Sequence, residues 1–437
     1  MAIGDLGFRA RHELTSFVVK RVLARYIAQG DPGIQLATDP LLAEDPYAFY
    51  AAQRERGQII TGSSGVMIAT SRQAVEQLFR DPRMGHAPLP TKEQLREAGF
   101  LRRMLGHDPF EGMIHPLLPP SIIVVDPPDH TRYRKLVSRA FTVRRAEEMR
   151  SRIEEITGEL VKAMGKRPDM DVMRDFASAL PVIVIAEILG VPAEDQAKFR
   201  KWGYDVARTL DINLSYAETR DARDSLKALN SYFEGVFAER RLHPRADLVT
   251  ALIEAEVDGD RLSDDELMAN VLILLVAGFE TTVNLLGNGA NLLLDRPELV
   301  AQLLSNPALW PEIVDEVLRF DSPVQFTSRY ALADLEVAGQ HIPAGTNVHL
   351  LIGCANRDPA SFPDPDVFDI ARHNARDNLA FASGIHFCPG AALAKIEGQV
   401  GLQALFETFP DLRKRGTSRR RGSPLLRGFD SLPVRVG

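Results

Sequence analysis

The chain has 437 residues, 45% apolar and 25% charged, an ordinary composition for a soluble globular protein. Its 52 basic and 59 acidic side chains leave a net charge of −7, which argues against nucleic acid as the main partner. Two distant cysteines, Cys354 and Cys388, argue against a disulfide framework and fit a reducing cytoplasm. No linker, low-complexity tract or internal repeat divides the sequence, so a single domain over 1–437 is expected, with 1–40 as a peripheral N-terminal segment.

In chain order, the first element is "FRARHELTSFVVKRVLARYI" (8–27), basic and helical in period, with Phe17, Val18, Val22 and Tyr26 on one face. A packed first helix is expected here in preference to one lying on a membrane surface. No apolar run reads as a transmembrane anchor. "DPPDHTRYRKLVSRAFT" (126–142) sets Pro127 and Pro128 ahead of a helix on which His130 and Arg134 share a face. Two such groups directed at one point can clamp carboxylates, although a solvated basic face has the same spacing. Met149, Ile153, Ile156, Leu160 and Met164 mark a helix within 146–165, and "LPVIVIAEILGVP" (180–192) reads as a buried one.

The best-marked helix starts after Ser263, which forms a capping box with Glu266, and runs to Asp295-Arg296-Pro297. It spans roughly 33 residues, about 50 Å, far beyond the usual helix. From Val271 to Phe279 it is apolar on every face and must cross the protein centre. There Ala277-Gly278 removes bulk, and Glu280-Thr281-Thr282 brings a carboxylate and hydroxyls into the interior. Either a threonine bonds back and bends the helix, or a groove opens against a flat ligand with proton-transfer groups beside it. "PEIVDEVLRF" (311–320) puts Glu316 and Arg319 at i,i+3 on a mostly apolar helix. β-Branched runs between Gly and Pro at 335–352 predict hairpins, so the class is mainly α with a small β portion.

"FASGIHFCPG" (381–390) leaves Cys388 open to three readings: core residue, nucleophile or metal ligand. A zinc site needs more ligands than His386 supplies, and no C-x-x-C-H or cysteine-protease signature surrounds it. A thiolate bound to haem iron asks for glycines that let the backbone approach and amides that face the sulfur. Gly384 and Gly390 are placed for the first; with Pro389 lacking an N–H, the Gly390 and Ala391 amides are expected to provide the second. The helix beginning at Gly390 further favours a thiolate.

Taken together, Phe381-x-x-Gly384-x-His386-x-Cys388-x-Gly390, Ala277-Gly278-x-Glu280-Thr281, Glu316-x-x-Arg319, the 126–134 segment and "ANRDP" (355–359) resemble the cytochrome P-450 family, in its soluble bacterial form. The resemblance runs from about residue 40 to the C-terminus and implies the cytochrome P-450 fold, with a long central helix over a buried haem b. It makes Cys388 the iron ligand and Phe381 a shield on the thiolate side. His130, Arg134, Arg329 and His386 would hold the propionates, Ala277 would border the haem, and Glu280 and Thr281 would deliver protons to dioxygen. Glu316 and Arg319 would be structural; the arginine that usually completes their triad falls at Val367, which leaves Arg372 as a candidate replacement.

What this implies is a monooxygenase that hydroxylates or otherwise oxidises an apolar fatty acid, terpenoid, steroid or polyketide. Its electrons would come from a separate ferredoxin or flavodoxin with its reductase. The thiolate promotes O–O cleavage, and a water-exchanging Glu280 would feed Thr281. Arg132, Lys135, Arg139, Arg144 and Arg145 offer a docking patch, while "RKRGTSRRR" (413–421) reads as an exposed loop. Ile273, Val276, Ala277, Gln325 and Phe326 are expected to wall the substrate pocket, under covers at 85–125 and 196–235. A haem-based sensor and a peroxide-driven hydroxylase are the alternatives.

Overall fold

The capping box forms as the spacing requires: Ser263 Oγ accepts from the Glu266 amide, and the Glu266 carboxylate accepts from the Ser263 amide at 2.8 Å. From there the helix Asp264–Leu294 runs for 31 residues. In this computed structural model, which describes residues 3–88, 109–138, 141–167, 169–211, 214–256 and 259–436, it is the central element. By length and composition it could cross a membrane, but 78% of its apolar stretch is buried against other helices, so it is the core of the protein.

Small residues set how closely its neighbours approach. A Cβ on Gly289 would stand 2.6 Å from Leu402 of the helix Ala391–Thr408, and one on Gly203 would stand 2.7 Å from Phe279. Gly203 belongs to Gln196–Ala207, which with Tyr216–Leu242 covers the central helix from the other side. One large apolar cluster joins these helices to Arg150–Met164, Leu180–Ile188 and Trp310–Phe320.

The β portion is a separate layer with its own apolar clusters. Five short strands lie in the order Ile59–Thr61, Met67–Ala69, Asn347–Leu350, Thr327–Ala331 and Met84–Gly85. All neighbours are antiparallel except Met67–Ala69 with Asn347–Leu350. The expected hairpin at 335–352 begins with Leu335–Val337 against Gln340–Ile342, turned at Ala338 and Gly339, both with positive φ. A second hairpin, Arg419–Arg420 with Phe429–Ser431, is clasped to the central helix. Asn288 donates to the carbonyls of Asp321 and Arg427 at 3.0 Å each and accepts from Arg420 at 3.1 Å.

The N-terminal helix Ile3–Ala28 departs from expectation. It meets the cover helix through His12, which bonds Thr219 at 3.1 Å, yet Phe17 is 60% and Val22 52% exposed. Of the apolar face read from the sequence, Phe17 and Val22 are therefore exposed, while Val18 and Tyr26 are half-buried.

Candidate functional site

The loop bearing Cys388 closes on itself: the Cys388 amide donates to the Phe381 carbonyl at 3.0 Å. Burial pushes the thiol up, while the Gly390 amide, hydrogen-bonded to it, and the Arg134 charge act in the opposite direction. Only part of the expected amide pair is realised, because the Ala391 amide points to the Cys388 carbonyl at 3.4 Å. Gly384 also serves another purpose. Its φ is +70°, and a Cβ there would lie 2.6 Å from the Phe79 carbonyl oxygen, so it packs the loop onto the helix Arg72–Arg80. Gly390, by contrast, faces the sulfur: its Cβ would be 3.9 Å from Cys388 Sγ. Phe381 is half-buried against the helical core.

Arg134 links this loop to a cluster of histidines and a second arginine, Arg329. His130 and His386 lie with ring centroids 4.2 Å apart and planes inclined at 51°, and His86 meets His386 edge-on at 5.1 Å. Burial, followed by the Arg329 charge and then those of His130, His86 and Arg134, pushes His386 down to about 2. Burial and then Arg134 push His130 down to about 4, and both of its ring nitrogens lack a hydrogen-bond partner among the described residues. Asp126 offsets the positive charge at His86, His130 and Arg329 but is already engaged, accepting from the His86 amide at 3.0 Å and contacting its Nδ1 at 2.9 Å. Arg134 and Arg329, beside imidazoles held neutral by burial and one acid already engaged, fit an anionic ligand, such as the paired carboxylates of a porphyrin. Sequence reasoning missed His86 and Asp126; Asp126 opens the stretch that carries His130, whereas His86 has no local signature.

On the central helix, exposure changes where the composition does. Ala277 is exposed and Gly278 and Thr281 are half-exposed, between residues that are buried. Thr281 donates back to the Ala277 carbonyl at 2.9 Å and Thr282 to that of Gly278 at 3.2 Å. The threonines bond back as the first reading expects, and Ala277, Gly278 and Thr281 border a local opening while Thr282 is buried. Glu280 contradicts its expected water exchange. It is 4% exposed and ion-paired with Arg421, also buried. Most of 413–419 is exposed as expected, but the end of the segment is engaged, with Arg421 on Glu280 and Arg420 reaching Asp321 at 3.1 Å and Asn288 at 3.1 Å. Nearby in the core, Glu397 is buried with one carboxylate oxygen unpartnered, and burial pushes it up to about 8.

Glu316 and Arg319 form a two-pronged pair with both contacts at 2.7 Å and no solvent exposure at either residue. Arg372 takes the missing third place. Its Nε lies 3.4 Å from Glu316, and it donates to the carbonyls of Pro363, Asp364 and Val367. Val367 thus takes part through its carbonyl, which also accepts from Arg319 at 3.1 Å.

Among the expected pocket walls, Ile273 and Val276 are buried and Ala277 opens. Gln325 does not line a pocket: it donates to the Ser322 carbonyl at 2.7 Å and accepts from Tyr50 Oη at 3.2 Å, deep in the β layer, where Phe326 also packs. Of the covers, residues 89–108 lie outside the described residues; the portion after them is tied down by Asn230, which accepts from the Ile114 amide at 3.0 Å and donates to its carbonyl at 3.1 Å. In the basic patch, Arg132 is committed to Glu266 and Asp260, Arg144 and Arg145 are exposed, and Arg139 lies outside the described residues. A surface groove of about 490 Å³ lined by Arg145, Arg245, Pro389, Ala392 and Leu393 adjoins the Cys388 loop.

The cytochrome P450 family model matches residues 92–307 and 304–419. "Putative cytochrome P450 140" of Mycobacterium tuberculosis is 41% identical over 428 residues, covering 96% of this chain and 95% of the relative. "Vitamin D(3) 25-hydroxylase" of Pseudonocardia autotrophica is 38% identical over 403 residues, 90% of this chain and 94% of the relative. Among solved structures, cytochrome P450 PksS of the Bacillus subtilis bacillaene polyketide synthase superposes with a TM-score of 0.79 at 31% identity, covering 92% of this chain and all of that one. With the helical fold and the half-buried thiol beside an anion-seeking cluster, these matches show that the chain belongs to the cytochrome P450 family of haem-dependent monooxygenases.

Proposed function

We propose that this chain, acting as one domain, binds haem b with Cys388 as its iron ligand and hydroxylates a large, mainly hydrocarbon molecule of the steroid or polyketide class. The observation that carries the reading is the gathering of Arg134 and Arg329 with His130 and His386 beside the Cys388 loop. His130, Arg134, Arg329 and His386 would hold the two propionates, and His130 brings ring nitrogens with no other partner among the described residues. Gly390 donates its amide to the sulfur and Phe381 shields that side. The haem, when bound, supplies activation of dioxygen and oxidation of the substrate.

The remaining work falls to the chain. Ala277 leaves room beside the reacting centre, Ile273 and Val276 keep its surroundings apolar, and the cover helices exclude water. Thr281 Oγ1 holds a proton donor at the opening, and Glu280, in its buried pair with Arg421, is the acid beside it on the helix. The names of the vitamin D and polyketide relatives support a bulky substrate ahead of a simple fatty acid. Electrons come from a cytoplasmic ferredoxin or flavodoxin with its reductase, docking on the Cys388 side of the molecule, where the exposed Lys135, Arg144 and Arg145 meet an acidic partner.

Spectral titration of the holoenzyme with vitamin D3, testosterone and lauric acid tests the substrate class. Turnover of any ligand that shifts the spectrum, with reduced ferredoxin and oxygen, tests the activity. Product from peroxide alone at the same rate would instead indicate a peroxide-driven hydroxylase, and spectral shifts without product under either condition a sensor.

A further inference from the structure

The N-terminal helix Ile3–Ala28 presents apolar side chains on the face turned away from the protein. Its half-buried positions, His12, Thr15, Val19, Leu23 and Tyr26, recur at helical spacing and mark the side turned to the rest of the chain. Opposite them, Leu14 is 47% and Ile27 42% exposed, Phe17 more so, with Ala24 and Ala28 exposed along the same face. A surface helix of a globular protein ordinarily shows polar groups there.

What polarity the outward face has is of one sign. Lys20, Arg21 and Arg25 are all exposed on it, and no acid among the described residues pairs with them. Glu13, the one acid between residues 9 and 25, is taken by Arg9 at 2.7 Å. That stretch holds five lysines and arginines in a chain whose net charge is −7, so it is opposite in sign to the molecule as a whole.

We propose that this face docks the protein on an anionic lipid bilayer, with the helix lying in the interface and not crossing it. Its cations are too many for a span through hydrocarbon. A second copy related by a two-fold axis would set one basic stripe against the other. A bilayer surface takes both kinds of side chain at once: Leu14, Phe17 and Ile27 enter the acyl boundary, while the long stems of Lys20, Arg21 and Arg25 carry their charges back to the phosphates. At its other side the helix is fastened to the start of the cover helix Tyr216–Leu242, where Arg9 lies 5.9 Å over the Tyr216 ring and His12 bonds Thr219 at 3.1 Å. Docking therefore holds the cover near the phase in which large hydrocarbons dissolve. That consequence rests on the proposed substrate class; the docking itself does not.

The test is co-sedimentation of the holoenzyme, without substrate, with vesicles of phosphatidylcholine and phosphatidylglycerol in equal parts and with vesicles of phosphatidylcholine alone. Binding is expected with the mixed vesicles, weaker with the neutral ones, and should fall as salt is raised. Phe17→Ser should weaken it about tenfold, and each of Lys20→Gln, Arg21→Gln and Arg25→Gln about fivefold. Val367→Ser, at a side chain about as exposed as Phe17 but elsewhere on the surface, should leave it unchanged. The carbon monoxide difference spectrum confirms that each variant is loaded. The proposal is overturned if the holoenzyme stays in solution with the mixed vesicles, or if Val367→Ser weakens binding as much as Phe17→Ser. It is equally overturned if sedimentation equilibrium without lipid shows a dimer that Phe17→Ser disperses, since a second copy would then cover the face. Failure of the substrate reading looks different: vesicle binding would persist while vitamin D3 and testosterone gave no spectral shift.

Discussion

Replacing Glu316 with alanine removes the centre of a buried network, and the structure sets the size of the effect. Two charge-assisted bonds of 2.7 Å to Arg319 disappear, together with the acceptor of the Asp369 amide at 2.9 Å and the 3.4 Å contact to Arg372. Arg319 stays fully buried, keeping only the carbonyls of Asn356, Pro365 and Val367. An uncompensated buried charge typically costs about 3–5 kcal/mol; the three carbonyls place this one near the lower end, about 3 kcal/mol. Arg372→Gln, which leaves the central pair intact, should cost about 1–2 kcal/mol. Val367→Ala should stay within about 0.5 kcal/mol, because that side chain is exposed and its contribution is a carbonyl. Thermal midpoints by circular dichroism, with haem content per chain, give the ranking. A Glu316→Ala protein with the wild-type midpoint and full haem would refute the reasoning, as would a Val367→Ala protein as unstable as Arg372→Gln.

Cys388→His should abolish the red-shifted absorption of the reduced, carbon monoxide-bound protein, whereas Cys354→Ala, at a buried thiol beside Arg54, should retain it. Thr281→Ala should leave haem loading intact but divert electrons into hydrogen peroxide, read as the ratio of product to reduced cofactor consumed; wild-type coupling would reduce Thr281 to a helix-bending residue. For His130, the folded value of about 4 lies below the ordinary 6.5, so its contribution to apoprotein stability is present above about pH 6.5 and lost as pH falls towards 4. Denaturant midpoints of the apoprotein across that range should fall, and His130→Gln should flatten the fall.

Features that depend on residues close in sequence were legible without coordinates. The Ser263–Glu266 capping box, the apolar run with its interruption at Ala277 and Gly278, the Glu316–Arg319 pair and the loop around Cys388 each lie within a helical turn or two. Helical period, capping chemistry and motif spacing are local, so they survive in a bare sequence. What escaped depends on partners brought together across the fold. Arg421 reads as one cation in a basic run until the hairpin lays it on Glu280. His86 is unremarkable until Asp126 turns it towards His386. Gly384 reads as a site glycine, yet the clash its Cβ would make is with a carbonyl of a helix hundreds of residues earlier. Whether an apolar helix is a core or a membrane span was likewise decided by packing, because the same side chains serve either and only their neighbours distinguish the two.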